Sequence, residues 1–388
     1  MVHIGFRYGR LNTGGAAIAA TRLHLAFLER GIESHYVCVH KFEDGPNVHV
    51  LPCGSVSRRF YLFFTRVSRA IWRFSSIGKP VSVNIIPLFG LERLIRRINP
   101  DVVHVHWINA DVCTFGQLAK MQSRLILNLH DLFWLNGPIL SPSNTRQTGC
   151  LCRWLAKRRN RLIKIKRPVF IGPSEWVCSL MRNSSISRGC RVATISNIVG
   201  SAFKFYDRQP GNKKFTMLFG AFGGRRNGFK GWADCEKSLR LLRADVREGS
   251  VLNIIGENAQ DYEIDGLKIH FLGEISKEES LVEVYNSIDI VLFPSLQETQ
   301  GLMKVEAMLC GAPVIAFDRA ACAEGIAHKE NGWIAHDGNN NEFAKGIEWY
   351  YDAFRRNAIP HSSIANSVRE VYNRDLIIDE VLSAYAKR

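Results

Sequence analysis

Residues 293–317 read FPSLQETQGLMKVEAMLCGAPVIAF, and this stretch indicates the class of fold. An apolar run ends at Phe293, a glycine follows at Gly301, and a helical pattern then leads to a second apolar run that ends at Phe317. Parallel neighbouring strands need a crossover connection, which is usually a helix. The stretch therefore predicts a strand, a glycine turn, a helix and a strand of one parallel α/β sheet.

The same alternation of short apolar runs and helical patterns continues along the 388 residues. An apolar fraction of 46% with only 22% charged residues excludes a disordered chain and suits two packed domains. Glycine and proline interrupt a polar stretch at 200–214, where we place the boundary. We predict an α/β protein with two Rossmann-like, doubly wound parallel-sheet domains at 1–200 and 201–371, and a final helix at about 372–388 available to pack back on the first. The predicted strands are 3–8, 34–39, 102–107, 125–130 and 169–174 in the first domain and 215–222, 251–256, 269–273, 289–295 and 313–318 in the second.

The net charge of +15 is unevenly distributed. Residues 1–200 contain 28 basic and 9 acidic residues, whereas residues 201–388 contain 23 and 27. An anionic partner of the first domain would explain this excess, and nucleic acid, anionic lipid and a phosphorylated substrate are all candidates. The sequence shows neither a spanning apolar run nor a signal-peptide pattern, so we expect a cytoplasmic protein.

A paired glycine at Gly14 and Gly15 follows the first predicted strand and opens a helical pattern. Free amides and the helix dipole at such a point favour a phosphate, so we predict that these glycines bind the donor. A tight turn without a ligand is the alternative, because the third glycine of the dinucleotide fingerprint is missing.

Two carboxylates, Glu298 and Glu306, lie on either side of the start of the helix predicted after Gly301. Glu306 could accept both hydroxyls of a ribose, and Glu298 could hold a sugar hydroxyl. The amides of Gly301, Leu302 and Met303 could bind a diphosphate between them. The alternative is a pair of solvent-facing helix acids.

Glu298 and Glu306 resemble the E-x7-E signature of the family-4 retaining glycosyltransferases of the GT-B type. Three further segments resemble motifs of the same family, in the subgroup that builds bacterial surface polysaccharides. They are NLHDLFW at 128–134, GPSEW at 172–176 and FGAFGGRRNGFKG at 219–231. The resemblance covers residues from about 3 to 335, in family order.

The resemblance implies sugar transfer from a nucleoside-diphosphate sugar to a glycan or lipid-linked acceptor in cell-surface polysaccharide biosynthesis. It implies that Lys230 and Arg225 are catalytic, and Arg226 is a donor-binding residue, although either arginine could point inward. It also implies that His130 contacts the transferred sugar and that Glu298 stabilises the donor. We expect no metal and no cofactor, because the chain has no D-x-D motif and fixed cations can neutralise the departing phosphates.

Two further histidines, His104 and His106, lie two residues apart on one predicted strand face. This geometry could bind a metal, but no third ligand is apparent nearby in the sequence, so we interpret them as structural or cleft-lining residues. Asp131 follows His130 directly and could orient its ring.

Two basic segments account for much of the charge. Residues 58–74 contain five arginines and no acid, with Phe60, Phe63 and Phe64 on one helical face. This is typical of a helix on an anionic membrane surface, and a helix with its apolar face in the core is the alternative. Residues 153–167 contain eight basic residues and no acid. We expect a peripheral position on the cytoplasmic face of the inner membrane.

Two other classes of function compete with a glycosyltransferase. One is a basic nucleic-acid-binding protein, which we do not expect because the aromatic residues lie in apolar patterns and no recognisable motif is present. The other is a catalytically inactive nucleotide-sugar-binding subunit, against which the presence of Glu298, Glu306, Lys230 and His130 argues.

Overall fold

The computed structural model describes residues 1–9, 13–75, 84–108, 112–137, 150–206, 214–220 and 223–386, and all elements given below belong to these ranges. The chain forms two compact units, Met1–Ile198 with Asp375–Arg388, and Val199–Arg374. Each contains a seven-stranded sheet with helices on both faces, so the predicted class of fold is confirmed.

The first unit has nine strands. They are β1 (Val2–Ile4), β2 (Arg7–Tyr8), β3 (His35–Cys38), β4 (His40–Lys41), β5 (Val48–Val50), β6 (Val102–Val105), β7 (Arg124–Asn128), β8 (Val169–Gly172) and β9 (Val192–Thr194). Its helices before the second unit are α1 (Gly15–Glu29), α2 (Ser55–Ser75), α3 (Leu91–Ile98), α4 (Phe115–Lys120), α5 (Phe133–Asn136), α6 (Cys150–Lys166) and α7 (Glu175–Arg182).

The second unit has seven strands and six α-helices. The strands are β10 (Phe215–Gly220), β11 (Ser250–Ile255), β12 (Tyr262–Ile264), β13 (Leu267–Gly273), β14 (Ile290–Phe293), β15 (Val314–Phe317) and β16 (Gly332–Ala335). The helices are α8 (Trp232–Arg240), α9 (Ala244–Gly249), α10 (Glu278–Ser287), α11 (Leu302–Leu309), α12 (Asn340–Arg355) and α13 (His361–Arg369).

The strand order is β5-β3-β1-β6-β7-β8-β9 in the first unit and β12-β13-β11-β10-β14-β15-β16 in the second. The pairs are parallel, except that β12 is antiparallel to β13. In each sheet the chain builds outward on one side of its first strand and then on the other. The order therefore reverses between β1 and β6 and between β10 and β14, where the loops separate and leave a crevice at the carboxyl ends of the strands.

The helix predicted at about 372–388 corresponds to α14 (Arg374–Ala386), and α13 ends before it at Arg369. Helix α14 packs with α1 on one face of the first sheet, where Ile377, Ile378 and Val381 join a buried cluster with Phe27. Arg30 pairs with two acids at the start of α14. The C-terminal helix therefore completes the core of the first unit.

Candidate functional site

In the second unit, Lys230 and Gly231 end the loop that follows β10 and lie beside the end of β14. Gly231 has φ +71°, and a Cβ there would lie 1.9 Å from the Pro294 carbonyl oxygen. Only a glycine allows this approach, and the Leu296 amide donates to the Phe229 carbonyl at 2.8 Å beside it. These two contacts attach the loop to the end of β14.

This attachment brings two predicted residues together. Lys230 Nζ donates to Glu298 Oε1 at 2.6 Å, and both side chains are largely buried. A lysine ammonium and a carboxylate thus meet at the switch point of the second sheet. The ammonium can neutralise a phosphate, and the carboxylate can accept from a sugar hydroxyl.

Helix α11 begins directly beyond this pair. Its N-cap Gly301 has φ +78° and lies so close to the Phe293 ring that a Cβ would clash with it. Leu302 and Met303 form the first turn, where the amides lack intrahelical partners. Glu306 is buried one turn further on, and Tyr285 Oη donates to its Oε2 in a long hydrogen bond of 3.5 Å. The idea that both acids face solvent is therefore wrong.

The two adjacent arginines have different surroundings. Arg225 donates from Nη2 to Glu257 Oε1 at 3.1 Å and from Nη1 to Tyr262 Oη at 3.2 Å. Its guanidinium also lies over the rings of Phe271, Trp232 and Tyr262. The hydrogen bonds from Arg225 hold the pKa of the Glu257 carboxyl below its usual value.

Arg226 instead exposes 84% of its side chain, and its Nε lies 3.6 Å from Glu257. The guanidinium of Arg225 is thus committed to a structural cluster, whereas that of Arg226 can reorient toward an anion. On this geometry Arg226 is better placed than Arg225 for the phosphate contact that we predicted for one of them.

Lys304 was missed by the sequence reasoning. Although it lies on α11 between Gly301 and Glu306, its Nζ is buried and donates to the carbonyls of Ala321, Cys322 and Glu324. Burial lowers the pKa of Lys304 to about 8. Lys304 holds the 321–324 loop, whose Ala321 amide donates to the Glu298 carbonyl. A lysine within an apolar helical pattern was the only available signal.

In the first unit, a cavity of about 330 Å³ lies at the carboxyl ends of β1, β6 and β7. Its lining includes Gly14, Gly15, His130, Asp131 and Trp107. The glycine turn and the histidine, 115 residues apart in the sequence, therefore line one cavity. Gly14 is the N-cap of α1, so the first-turn amides of that helix are at its edge.

Asp131, which follows His130, is hydrogen-bonded to Trp107 and to the start of α5. Its Oδ2 accepts from the Trp107 indole at 2.9 Å, and its Oδ1 accepts from the Phe133 amide at the start of α5. The His130 ring is hydrogen-bonded to His106, with His130 Nε2 lying 3.0 Å from His106 Nδ1. Burial lowers the pKa of His130, so its imidazole is neutral at physiological pH.

Helix α2 carries the first basic segment. Tyr61 and Thr65 are buried, and Tyr61 Oη donates to the Val112 carbonyl. The predicted apolar face does not pack with this anchor, because Phe60, Phe63 and Phe64 are exposed, as is Val67 one turn after Phe63. The alternative prediction, that the apolar face of this helix packs in the core, is therefore wrong for these side chains. The side chains of Arg69 and Arg73 lie outside the described residues.

Helix α6 carries the second basic segment. Arg159 is buried and donates to the carbonyls of Leu135 and Phe133, so it supports α5 and is not a surface cation. Arg153, Lys157 and Arg161 are exposed. Among the helices in the described parts of the chain, none is both long enough and apolar enough to cross a bilayer.

Two family models match the chain. Residues 13–200 match the model described as Glycosyltransferase Family 4, and residues 219–353 match the model described as Glycosyl transferases group 1.

Similar proteins cover parts of the sequence and the whole fold. An uncharacterised glycosyltransferase of Methanocaldococcus jannaschii is 29% identical over 118 residues, which is 30% of either chain. A glycogen synthase of Mycobacterium tuberculosis is 24% identical over 254 residues, so the match spans 61% of this chain and just over half, 56%, of that enzyme. The structure of Anabaena HepE in complex with UDP and glucose superimposes with a TM-score of 0.64, at 16% identity over 100% of this chain and 99% of that one. The two domain matches and this fold place the chain among the family-4-type glycosyltransferases with the GT-B fold.

Proposed function

We propose that the protein transfers a sugar, with retention of configuration, from a nucleoside-diphosphate sugar to a glycan or lipid-linked acceptor of a cell-surface polysaccharide. The observation that carries this proposal is the Lys230–Glu298 pair at the start of α11, with Glu306 buried one turn beyond. The arrangement offers a cation and free amides to a diphosphate and a carboxylate to each of its two sugars. The complex of Anabaena HepE with UDP and glucose supports a donor of this class.

The chemistry requires stabilisation of a departing diphosphate. The bond from the anomeric carbon to the β-phosphate oxygen breaks and its electron pair stays on that oxygen. The acceptor hydroxyl oxygen forms the new bond on the same face, and its proton passes to the departing phosphate. Lys230, Arg226 and the first-turn amides of α11 stabilise the developing charge, so we propose that no metal is needed.

The two carboxylates then hold the donor. Glu298 binds a hydroxyl of the transferred sugar once Lys230 turns from it to the phosphate. Glu306 accepts the ribose hydroxyls, and neutral His130 contributes a hydrogen bond to the sugar. Because its pKa is lowered, His130 is unsuited to act as an imidazolium acid at neutral pH.

We also propose that α2 seats the protein on an anionic membrane, which would present a lipid-linked acceptor. Support comes from the exposed phenylalanines of α2 together with its exposed Arg59 and Arg66. The cytoplasmic face of the inner membrane remains our predicted location.

The donor is tested by thermal stabilisation with uridine, guanosine and adenosine diphosphate sugars. One of them should stabilise the wild type, and Glu306→Gln should raise its dissociation constant by about 10- to 100-fold, because charge-assisted hydrogen bonds are lost. Glu279→Gln, an exposed acid on α10, is the matched control and should bind like the wild type. Stabilisation by none of the three, or equal binding by Glu306→Gln, would refute the donor site.

Activity and membrane binding need separate measurements. Donor binding without sugar transfer or donor hydrolysis would favour an inactive subunit, and a product of inverted configuration by NMR would refute retention. For the membrane, Phe60→Ser with Phe63→Ser should abolish co-sedimentation with phosphatidylglycerol vesicles. Leu241→Ser with Leu272→Ser, which removes two exposed apolar side chains from the second unit, should leave co-sedimentation unchanged. Equal loss in both variants would contradict a specific role for α2.

A further inference from the structure

Four histidines lie on the face of the first sheet that α1 and α14 cover. His3 on β1 and His104 on β6 are register partners, and His106 follows two residues later on the same face. His130 lies two residues beyond the end of β7. His3, His104 and His106 are buried; His106 and the less buried His130 both line the cavity at the strand ends.

Three of these rings form a hydrogen-bonded series. His3 Nδ1 lies 3.0 Å from His106 Nε2, and His106 Nδ1 lies 3.0 Å from His130 Nε2. Burial lowers the pKa of all three, so each ring is neutral and carries one N–H. Each bond needs one donor, so the proton of one ring determines the tautomers of the other two.

Two arrangements satisfy both hydrogen bonds. In the first, His3 Nδ1–H donates to His106, whose Nδ1–H donates to His130, so His130 carries its proton on Nδ1. In the second, every proton is on Nε2 and the donation runs the other way. The second arrangement leaves an N–H on His3 Nε2, which is buried and has no partner among the described residues. Buried N–H groups without a partner are rare, so the first arrangement is favoured.

The geometry assigns His106, supported by His3, as a positioning residue that fixes His130 in the Nδ1–H tautomer. The assignment rests on the proposed function, in which His130 contacts the donor sugar. The ring nitrogen opposite His106 is then a hydrogen-bond donor, suited to an oxygen lone pair of a sugar hydroxyl and unsuited to accept a proton. His106, which is buried at the end of β6, thus determines that His130 donates a hydrogen bond to the sugar and does not accept one.

The same histidines have a competing interpretation. His3, His104 and His106 each place one ring nitrogen within 4.8 Å of the other two, as the ligands of a metal site do. The structure thus supplies the third histidine that the sequence did not reveal. However, His3 and His106 already satisfy each other, and His104 Nδ1 is hydrogen-bonded to Tyr385 Oη at 2.6 Å. The hydrogen-bonded series accounts for these contacts without an ion.

The test is ¹⁵N NMR of the histidine rings in the ligand-free protein, with His130 assigned from the spectrum of His130→Gln. In the wild type, Nδ1 of His130 should show the shift of a protonated nitrogen and Nε2 that of an unprotonated one. In His106→Asn the side-chain amide lies near the position that His106 Nδ1 occupies in the wild type. In His106→Gln the amide lies near the position that His106 Nε2 occupies. His106→Asn should therefore preserve the tautomer of His130, and His106→Gln should replace it by a mixture in which the two nitrogen shifts approach each other.

Kinetics give the functional readout. His106→Gln should lower turnover about tenfold, the effect of losing a hydrogen bond worth about 1.4 kcal/mol, and His106→Asn should retain most of it. A wild-type His130 protonated on Nε2, or identical His130 shifts in His106→Gln and wild type, would overturn the assignment. So would a stoichiometric metal in the purified protein whose chelation moves the signals of His3, His104 and His106.

The wild-type spectrum keeps the assignment falsifiable even if His106→Gln does not fold. It also separates the two proposals, because the tautomer is measured without a substrate. An Nδ1–H tautomer in a protein that transfers no sugar would refute the proposed function alone.

Discussion

The buried ammonium of Lys304 makes stability depend on pH in a way that can be calculated. Burial lowers its pKa from 10.5 to about 8 in the folded protein. Between these values the unfolded chain binds more protons than the folded one, so stability rises with pH. A single lysine with these two pKa values contributes about 2.5 kcal/mol more stability at pH 10 than at pH 7.

The perturbation is Lys304→Met, which removes the titrating group and keeps an unbranched apolar chain of similar length. The assay is urea unfolding of both proteins at several pH values between 7 and 10. The free energy of unfolding of the wild type, minus that of Lys304→Met, should increase by about 2.5 kcal/mol over this range. Other titrating groups cancel in this difference, because both proteins contain them.

Lys345→Met is the matched control, since Lys345 is an exposed lysine on α12 of the same unit. Its difference from the wild type should stay constant from pH 7 to 10. A constant or falling difference for Lys304→Met would refute the reasoning, because it would mean that Lys304 titrates as an exposed lysine does. The carbonyl contacts that hold the 321–324 loop would then not desolvate the ammonium as the structure indicates.

Two further predictions concern one cluster in each unit. Arg225→Met should destabilise the second unit by about 2 kcal/mol, because it leaves the buried Glu257 carboxylate without its charged donor. Arg226→Met should change stability by less than about 0.5 kcal/mol but weaken donor binding. Equal destabilisation of the two variants in urea unfolding would contradict this distinction. Tyr385→Phe should destabilise the first unit by about 1–2 kcal/mol, because buried His104 loses the partner of its Nδ1; unchanged urea unfolding would show that this contact with α14 contributes nothing.

The positions of the central strands could be predicted because strands buried on both faces read as continuous apolar runs. The runs at 102–107 and 289–295 contain β6 and β14 and little else. Helix boundaries are less regular: Leu88 has the helical spacing of Leu91 and Ile95, but α3 begins only at Leu91, after Gly90 in the left-handed conformation. Residues 370–373, between α13 and α14, contain neither glycine nor proline, so tertiary packing and not local propensity separates these two helices.

The candidate site was predictable where its residues are close in sequence to a strand end. Lys230 and Glu298 follow β10 and β14, which are neighbours in the sheet, so a correct sheet order brings them together. The surroundings of Arg225 were not predictable, because Glu257, Tyr262 and Phe271 come from β11, β12, β13 and their loops. No local pattern indicates which of two adjacent arginines such distant residues will bind.

The buried polar groups of both sheets follow from the same reversal of strand order. Beside the reversal, loops leave the sheet in opposite directions, so the side chains at the strand ends are not covered by a crossover connection. His106 lies at this position in the first sheet, with His130 beside it at the end of β7, and Lys230 and Glu298 lie at this position in the second. An apolar side chain there would stabilise the fold at least as well, since every polar group must find a buried partner. The chain instead supplies those partners within each unit: His3 is hydrogen-bonded to His106, and Lys230 and Glu298 are hydrogen-bonded to each other. The free-energy cost of burying these polar groups is explained if the strand ends must present fixed donors and acceptors to a sugar and a diphosphate. It has no explanation if the two crevices are only structural.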